Sequence, residues 1–119
     1  MPAPILDPEA LENLRALDPD GGDVFLREVA GIFLEDTPKR LAELEQSLAA
    51  ADAATFIRAA HSIKGSSANL GAMALRAVAE QIEHNAKKEG LAGAGALIGE
   101  LKTEFDRART ALNELLPPA

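Results

Sequence analysis

Two side chains in a segment of small residues, His61 and Lys64, have the types and spacing needed for nucleophilic chemistry. The segment reads AAHSIKGSSANLGA over residues 59–72, and His61 is one of only two histidines in the chain. A neutral imidazole is a good nucleophile near neutral pH because its unperturbed pKa is about 6.5. A lysine one helical turn away can neutralise an anionic group placed on the ring. The spacing therefore indicates that His61 can accept an anionic group with help from Lys64.

A helical wheel drawn for residues 53–70 separates His61 from the expected core. At about 100° per residue, His61 points about 140° away from an apolar stripe made of Phe56, Ala60, Ile63, Ser67 and Leu70. The outer face is flat, small and partly apolar, with cations at its edge. We call this face the His61 patch, and it contains His61 with Ala54, Ile57, Arg58, Lys64, Gly65 and Ala68. We predict that a partner protein binds there.

Gly65 lies inside the same predicted helix, where glycine costs about 1 kcal/mol relative to alanine. It projects about 180° from the core stripe, so packing within its own bundle explains it poorly. The missing side chain leaves room beside His61 for another protein. Ser66 and Ser67 point toward neighbouring helices, and we expect their hydroxyls to bond to carbonyls of the preceding turn.

The composition excludes several classes of function. A net charge of −7 repels phosphate backbones and anionic membrane surfaces, and only 3% of residues are aromatic, so we expect no nucleic-acid or membrane partner. The chain has no cysteine, which argues against redox chemistry and thiolate metal sites. No apolar run approaches the roughly 18 residues of a membrane span, and the N-terminus lacks a signal-peptide pattern. We therefore expect a cytoplasmic protein.

Apolar residues recur at spacings of three and four, and no strand is predicted. The pattern predicts one domain over residues 1–119, with helices at about 8–17, 23–50, 53–69, 72–88 and 91–116. Asp7 and Asp52 are expected N-caps. Pro38 predicts either a kink in the second helix or a new helix capped by Thr37.

The fold class that follows is all-α. Four substantial helices joined by short connections predict an antiparallel four-helix bundle, with the short N-terminal helix packed across one end. At 119 residues, 47% of them apolar, the chain can build one compact core. The expected apolar stripe of the second helix is Phe25, Val29, Ile32 and Phe33. That of the last helix is Leu97 or Ile98, Leu101, Phe105, Ala108, Leu112 and Leu115.

The order His61-x-x-Lys64-Gly65-Ser66-Ser67-x-x-x-Gly71-Ala72, on a helix of an all-α domain of this size, resembles the histidine phosphotransfer (HPt) domains of two-component phosphorelays. The likeness extends from FLREVAGIFLEDTPKRLAELEQSL through AEQIEH to the final helix. By this resemblance His61 accepts a phosphoryl group on Nε2 from a receiver-domain aspartate or a histidine kinase, often a hybrid one, and passes it to a response regulator. Lys64 would screen the phosphoryl charge, and Gly65 would leave clearance for the receiver.

The resemblance also implies a role for Glu83, which matches a polar position that bonds the other ring nitrogen in many members. A carboxylate at Nδ1–H would leave Nε2 as the free nucleophile. The alternative, equally open, is that Glu83 is an exposed helix charge paired with Lys87. The chain lacks a nucleotide-binding loop and an evident magnesium site. We therefore expect a phosphocarrier that binds no cofactor and has no kinase activity of its own. We also expect it to be a monomer. Mg²⁺ is expected on the partner receiver.

Two other functions are compatible with the sequence. The chain can be a docking bundle that binds a receiver or kinase through the His61 patch without accepting phosphate. It can also be a metal-binding bundle that uses His61, His84 and nearby carboxylates, although the spacings around Glu80 and Glu83 are unfavourable for the usual pairs. By the resemblance, His84 matches no functional position and is expected on the surface.

Overall fold

The computed structural model describes residues 5–20 and 22–116 and contains five helices. They are α1 (Pro8–Ala16), α2 (Val24–Ala49), α3 (Ala53–Asn69), α4 (Met73–Glu89) and α5 (Ala94–Leu115). The described residues include no strand. The connections 50–52, 70–72 and 90–93 are short, so successive helices of the bundle run antiparallel. Helix α3 packs against α2 and α4, while α5 packs against the same two helices from the other side. The predicted all-α four-helix bundle is confirmed.

Side-chain caps begin two of the helices. Asp7 Oδ1 accepts a hydrogen bond from the backbone N–H of Glu9 at 3.0 Å, and Pro8 occupies the first helical position. Asp52 accepts from the backbone N–H of Thr55 at 3.2 Å. Both aspartates are the expected N-caps, and the second of them begins the helix that contains His61.

Helix α2 passes through Pro38 without ending, so of the two alternatives at Pro38 the new helix does not form. Thr37, the expected cap of a second helix, is instead buried inside α2. The expected stripe is also wrong in part, because Ile32 is 67% exposed. The buried line of α2 recurs every three or four residues, as the helical period requires, and it does not coincide with the large apolar residues of the expected stripe. Its members are Leu26, Ala30, Phe33, Thr37, Leu41, Leu44 and Ser47.

Helix α5 begins at Ala94, three residues later than predicted, because Gly93 adopts a positive φ angle of 77° that a right-handed helix does not allow. Its buried stripe uses Ile98 rather than Leu97, and Leu115 is exposed. Phe105 contacts Phe33 of α2 with ring centroids 5.5 Å apart, and this contact helps close the bundle.

The α3–α4 turn is held by the segment before α1. The backbone N–H of Asp7 donates to the carbonyl of Gly71 at 2.9 Å. Gly71 has a φ of +70°, and a Cβ there would lie 2.8 Å from Cβ of Asp7. Only glycine fits this turn without displacing the segment. The turn sets the register of α3 against α4, and hence the position of His61 relative to Glu83.

Candidate functional site

His61 lies on the outer surface of α3, as the helical wheel predicts. Its side chain is 66% exposed, whereas the residues of the core stripe are buried: Phe56, Ala60, Ile63, Ser67 and Leu70. Since the opposite face of α3 is held in the core, the helix cannot rotate to hide the imidazole. The ring is therefore accessible to another molecule.

Glu83 of α4 holds the His61 ring from one side. Nδ1 of His61 lies 2.8 Å from Oε2 of Glu83, and the Glu83 side chain is only 6% exposed. The interpretation of Glu83 as an exposed charge is therefore wrong, although its pairing with Lys87 is present, with Nζ 3.2 Å from Oε2. Lys64 Nζ donates to Oε1 of the same carboxylate at 2.6 Å. One buried carboxylate thus receives donors from three side chains on two helices.

The ionisation of Glu83 determines which nitrogen of His61 has the hydrogen. Burial favours a raised pKa for Glu83, but hydrogen bonds from Lys64, Lys87 and His61 outweigh burial and lower its pKa to about 2. Near neutral pH the carboxylate is ionised and can only accept hydrogen bonds. Nδ1 of His61 must then be the donor. In the neutral ring this leaves Nε2 as an unprotonated nitrogen pointing away from Glu83.

The low pKa of Glu83 predicts a pH-dependent contribution to stability. The contribution is complete above the unfolded-state pKa of about 4.3 and is lost as pH falls toward 2. We expect Glu83→Gln to lower the free energy of unfolding at pH 7 by about 3 kcal/mol. The difference in free energy of unfolding between this variant and wild type should become smaller between pH 5 and pH 2. Urea denaturation across this pH range measures it. Glu80→Gln, which removes an exposed carboxylate from the same helix, is the control. A gap for Glu83→Gln that stays constant with pH would contradict the prediction.

Gly65 lies one turn after His61 on the exposed surface of α3. A Cβ built on Gly65 would meet no other atom within 4 Å, so the bundle itself does not require glycine there. This agrees with the expectation that packing does not explain the residue. Glycine at this position makes the helix about 1 kcal/mol less stable than alanine would. No contact inside the chain compensates for this loss.

The rest of the His61 patch is mostly exposed. Ala54, Arg58 and Ala68 are exposed, whereas Ile57 is half-buried and packs against the core, so it adds only part of its surface to the patch. Lys64 is 25% exposed because it reaches across to Glu83. The patch is therefore a largely exposed surface around the imidazole.

Ser66 and Ser67 have a structural role. Both hydroxyls donate to the carbonyl of Ile63, at 3.3 Å and 2.6 Å respectively. Ser67 is fully buried, so it is not accessible to a reactive group. These bonds are the ones expected for serine within a helix.

His84 is exposed on α4 and lines a pocket of about 200 Å³ with Lys64, Glu80, Glu83 and Lys87. Over residues 5–20 and 22–116, no group of three or more His, Cys, Asp or Glu side chains is placed to hold a metal ion. The same residues include no helix long and apolar enough to cross a membrane. Sequence reasoning missed that Lys87 belongs to the cluster around His61. The signal that could have found it is its spacing of four residues from Glu83.

Comparisons with known proteins find one family and several solved structures that this chain resembles. A model of the Hpt domain family matches residues 28–111. The crystal structure of histidine-containing phosphotransfer protein B from Pseudomonas aeruginosa PAO1 is 32% identical, covers 95% of each chain and superimposes with a TM-score of 0.84. The histidine-containing phosphotransfer protein ZmHP2 from maize is 25% identical over 92% of this chain and 81% of that one, with a TM-score of 0.78. A comparison with curated proteins finds no match.

Proposed function

The chain belongs to the Hpt domain family of two-component phosphorelays, and from that premise we propose that His61 is its phosphoryl acceptor. The proposed donor is the phosphorylated aspartate of a receiver domain or a histidine kinase, and the proposed acceptor of the next step is a response regulator. The observation that supports this most is the exposed ring of His61 with Nδ1 held 2.8 Å from a buried carboxylate. That arrangement leaves one nitrogen, Nε2, free to react.

The proposed reaction uses the lone pair of Nε2. As Nε2 attacks the phosphorus of an aspartyl phosphate, the N–P bond forms, the bond from phosphorus to the aspartate oxygen breaks, and the aspartate leaves as a carboxylate. The proton of His61 stays on Nδ1, so the ring gains a positive charge, which the ionised Glu83 stabilises. The return step breaks the N–P bond when another receiver aspartate attacks the phosphorus.

The partner contributes the rest of the chemistry in this proposal. Phosphoryl transfer depends mainly on positioning and charge neutralisation. Lys64 would neutralise part of the phosphoryl charge, Gly65 would allow the receiver to approach, and the receiver would bring Mg²⁺. The exposed residues Ala54, Arg58 and Ala68, with part of Ile57, would form the contact surface. The protein would act as a cytoplasmic monomer, which a molar mass measured by light scattering can test.

The experiment is a transfer assay with a receiver domain phosphorylated on its aspartate with ³²P. We expect the label to move to the chain and to be labile in acid and stable in base, as a phosphoramidate is. Incubation with Mg-ATP alone should leave the chain unlabelled, because it acts as a carrier. No transfer from any phosphorylated receiver of the source organism, or an acid-stable label, would contradict the proposal.

A further inference from the structure

The segment that contains His61 has no acidic residue, although the chain as a whole is acidic. The chain has 19 aspartates and glutamates and a net charge of −7, yet none of the 19 lies between Asp52 and Glu80. We call residues 53–79 the acid-free segment, and it covers α3 and the first turns of α4. Its charged side chains are Arg58, Lys64 and Arg76. His61 therefore lies on a cationic surface of an anionic protein.

Arg58 is the cation of this segment that the chain does not bind. It lies one turn before His61, as Lys64 lies one turn after it, so the three side chains share one side of α3. Lys64 donates to Glu83, as described above. Arg58 is exposed and forms no hydrogen bond or ion pair within residues 5–20 and 22–116. Its guanidinium is free to bind another molecule.

Other arginines of the chain behave differently from Arg58. Five of them each form an ion pair with a carboxylate, and these are Arg15, Arg40, Arg76, Arg107 and Arg109. Asp52 is the acidic residue nearest to Arg58 in the sequence, but Thr55 binds it through its backbone N–H at 3.2 Å and its hydroxyl at 2.7 Å. Arginine is enriched where proteins bind one another. An unpaired arginine beside the reactive residue therefore indicates a partner outside the chain.

The chemistry of the proposed partner indicates what Arg58 would bind. In the proposed function the receiver has its phosphoryl group on an aspartate and brings Mg²⁺. Magnesium takes oxygen ligands, commonly one or two carboxylates in addition to phosphate oxygens. The face of the receiver around that aspartate is therefore anionic, and it complements the acid-free segment. A planar guanidinium can bind a carboxylate through two parallel hydrogen bonds.

We propose that Arg58 is a docking residue that binds a carboxylate of the receiver at the edge of its phosphorylation site. The acid-free segment attracts the receiver over about 10 Å, the Debye length at 0.1 M salt. The pair with Arg58 then orients the receiver so that its phosphorus meets Nε2 of His61. Neutralising the phosphoryl charge stays with Lys64. This inference rests on the proposed function, because that function identifies the partner as a receiver.

The test measures how fast the full, unphosphorylated chain associates with a fluorescently labelled receiver domain in the presence of Mg²⁺. Four proteins are compared by stopped-flow: wild type, Arg58→Gln, Arg58→Lys and Arg109→Gln. Arg109 is exposed on α5, on the side of the bundle opposite α3, and its variant removes the same net charge. We expect Arg58→Gln to lower the association rate constant about three- to tenfold, and Arg109→Gln to lower it by less than about twofold.

Charge and geometry are separated by the conservative variant and by salt. Arg58→Lys should associate at nearly the wild-type rate because it keeps the charge. It should dissociate faster because it loses the two parallel hydrogen bonds. The difference in association rate between wild type and Arg58→Gln should nearly disappear in 1 M salt, where the Debye length is about 3 Å.

The ³²P transfer assay separates docking from chemistry. At saturating receiver Arg58→Gln should reach the wild-type maximal rate, with KM raised about three- to tenfold. A lower maximal rate with unchanged KM would overturn the inference, because Arg58 would then act on the phosphoryl group.

Equal association rates for Arg58→Gln and Arg109→Gln, or a difference that salt does not reduce, would also overturn the inference. These outcomes leave the proposed function intact, because wild type still accepts phosphate. A wild-type chain that binds the receiver but accepts no phosphate would overturn the proposed function, while the association rates would still test Arg58. A wild-type chain that binds no receiver would overturn both.

Discussion

His61→Gln should abolish phosphoryl acceptance from a phosphorylated receiver, with a loss of at least about 10³-fold in the rate of transfer. Glutamine has a similar size but lacks a nitrogen lone pair that can attack phosphorus. Because the His61 side chain is 66% exposed, the free energy of unfolding should change by less than about 1 kcal/mol. Rapid-quench measurement of ³²P transfer, with urea denaturation of the same samples, checks both expectations.

The other histidine is the matched control for this experiment. His84 is exposed on α4, near the same cluster, and His84→Gln should transfer at the wild-type rate. The docking function, in which the bundle binds without accepting phosphate, predicts a different result for His61→Gln. It requires that variant to bind the receiver and to leave signalling intact. Wild-type transfer by His61→Gln would contradict the account of the site.

Gly65→Leu should make the chain more stable and less active. Leucine forms helix better than glycine by roughly 1 kcal/mol, and the exposed position offers no clash within the bundle. Its side chain would, however, lie beside His61 on the surface that the receiver must approach. A displacement of about 1 Å between reacting groups can cost about 10²-fold, so we expect a loss of transfer of at least that size.

Gly99→Leu provides the control for Gly65→Leu. Gly99 is also an exposed glycine inside a helix, and a Cβ there meets nothing within 4 Å. It lies on α5, which packs against α2 and α4 on the side of the bundle opposite α3. We expect the same gain in stability with no loss of transfer. Thermal denaturation measures the gain in stability, and the transfer assay measures the rate of transfer. A Gly65→Leu variant that transfers normally would contradict the clearance role of Gly65.

The fold and the exposure of His61 could be predicted from local sequence rules. The wheel places His61 and Gly65 outside the core because the side-chain direction in a helix depends only on residue spacing. The caps Asp7 and Asp52 were predictable for the same reason, since each acts on the first turn of its own helix. These features need no knowledge of how the helices pack.

Features that depend on packing between helices were less predictable. Pro38 left the choice between a break and a kink open, and the burial of Thr37 inside α2 decides against the break. Ile32 is strongly apolar yet exposed, because the buried line of α2 is set by contacts with α3 and α5 rather than by residue type. The late start of α5 arises from the positive φ of Gly93, which residue type alone does not determine.

Glu83 shows the same limit at the site itself. Its sequence context is compatible with an exposed charge or with a partner of His61, and only the α3–α4 register decides between them. That register depends on Gly71, where the backbone of Asp7 approaches closely. The burial of Glu83, and with it the lowering of its pKa to about 2, required the three-dimensional arrangement of Lys64, Lys87 and His61.

The central claim is that Nε2 of His61 receives the phosphoryl group while Nδ1–H stays bonded to Glu83. The most direct test is NMR spectroscopy of ¹⁵N-histidine-labelled protein, phosphorylated by a receiver domain, in which ¹⁵N–³¹P coupling identifies the bonded nitrogen. The account predicts coupling at Nε2 of His61 and a hydrogen on Nδ1 before and after transfer. Coupling at Nδ1 of His61 or at either nitrogen of His84, or phosphate on a hydroxyl group, would contradict it.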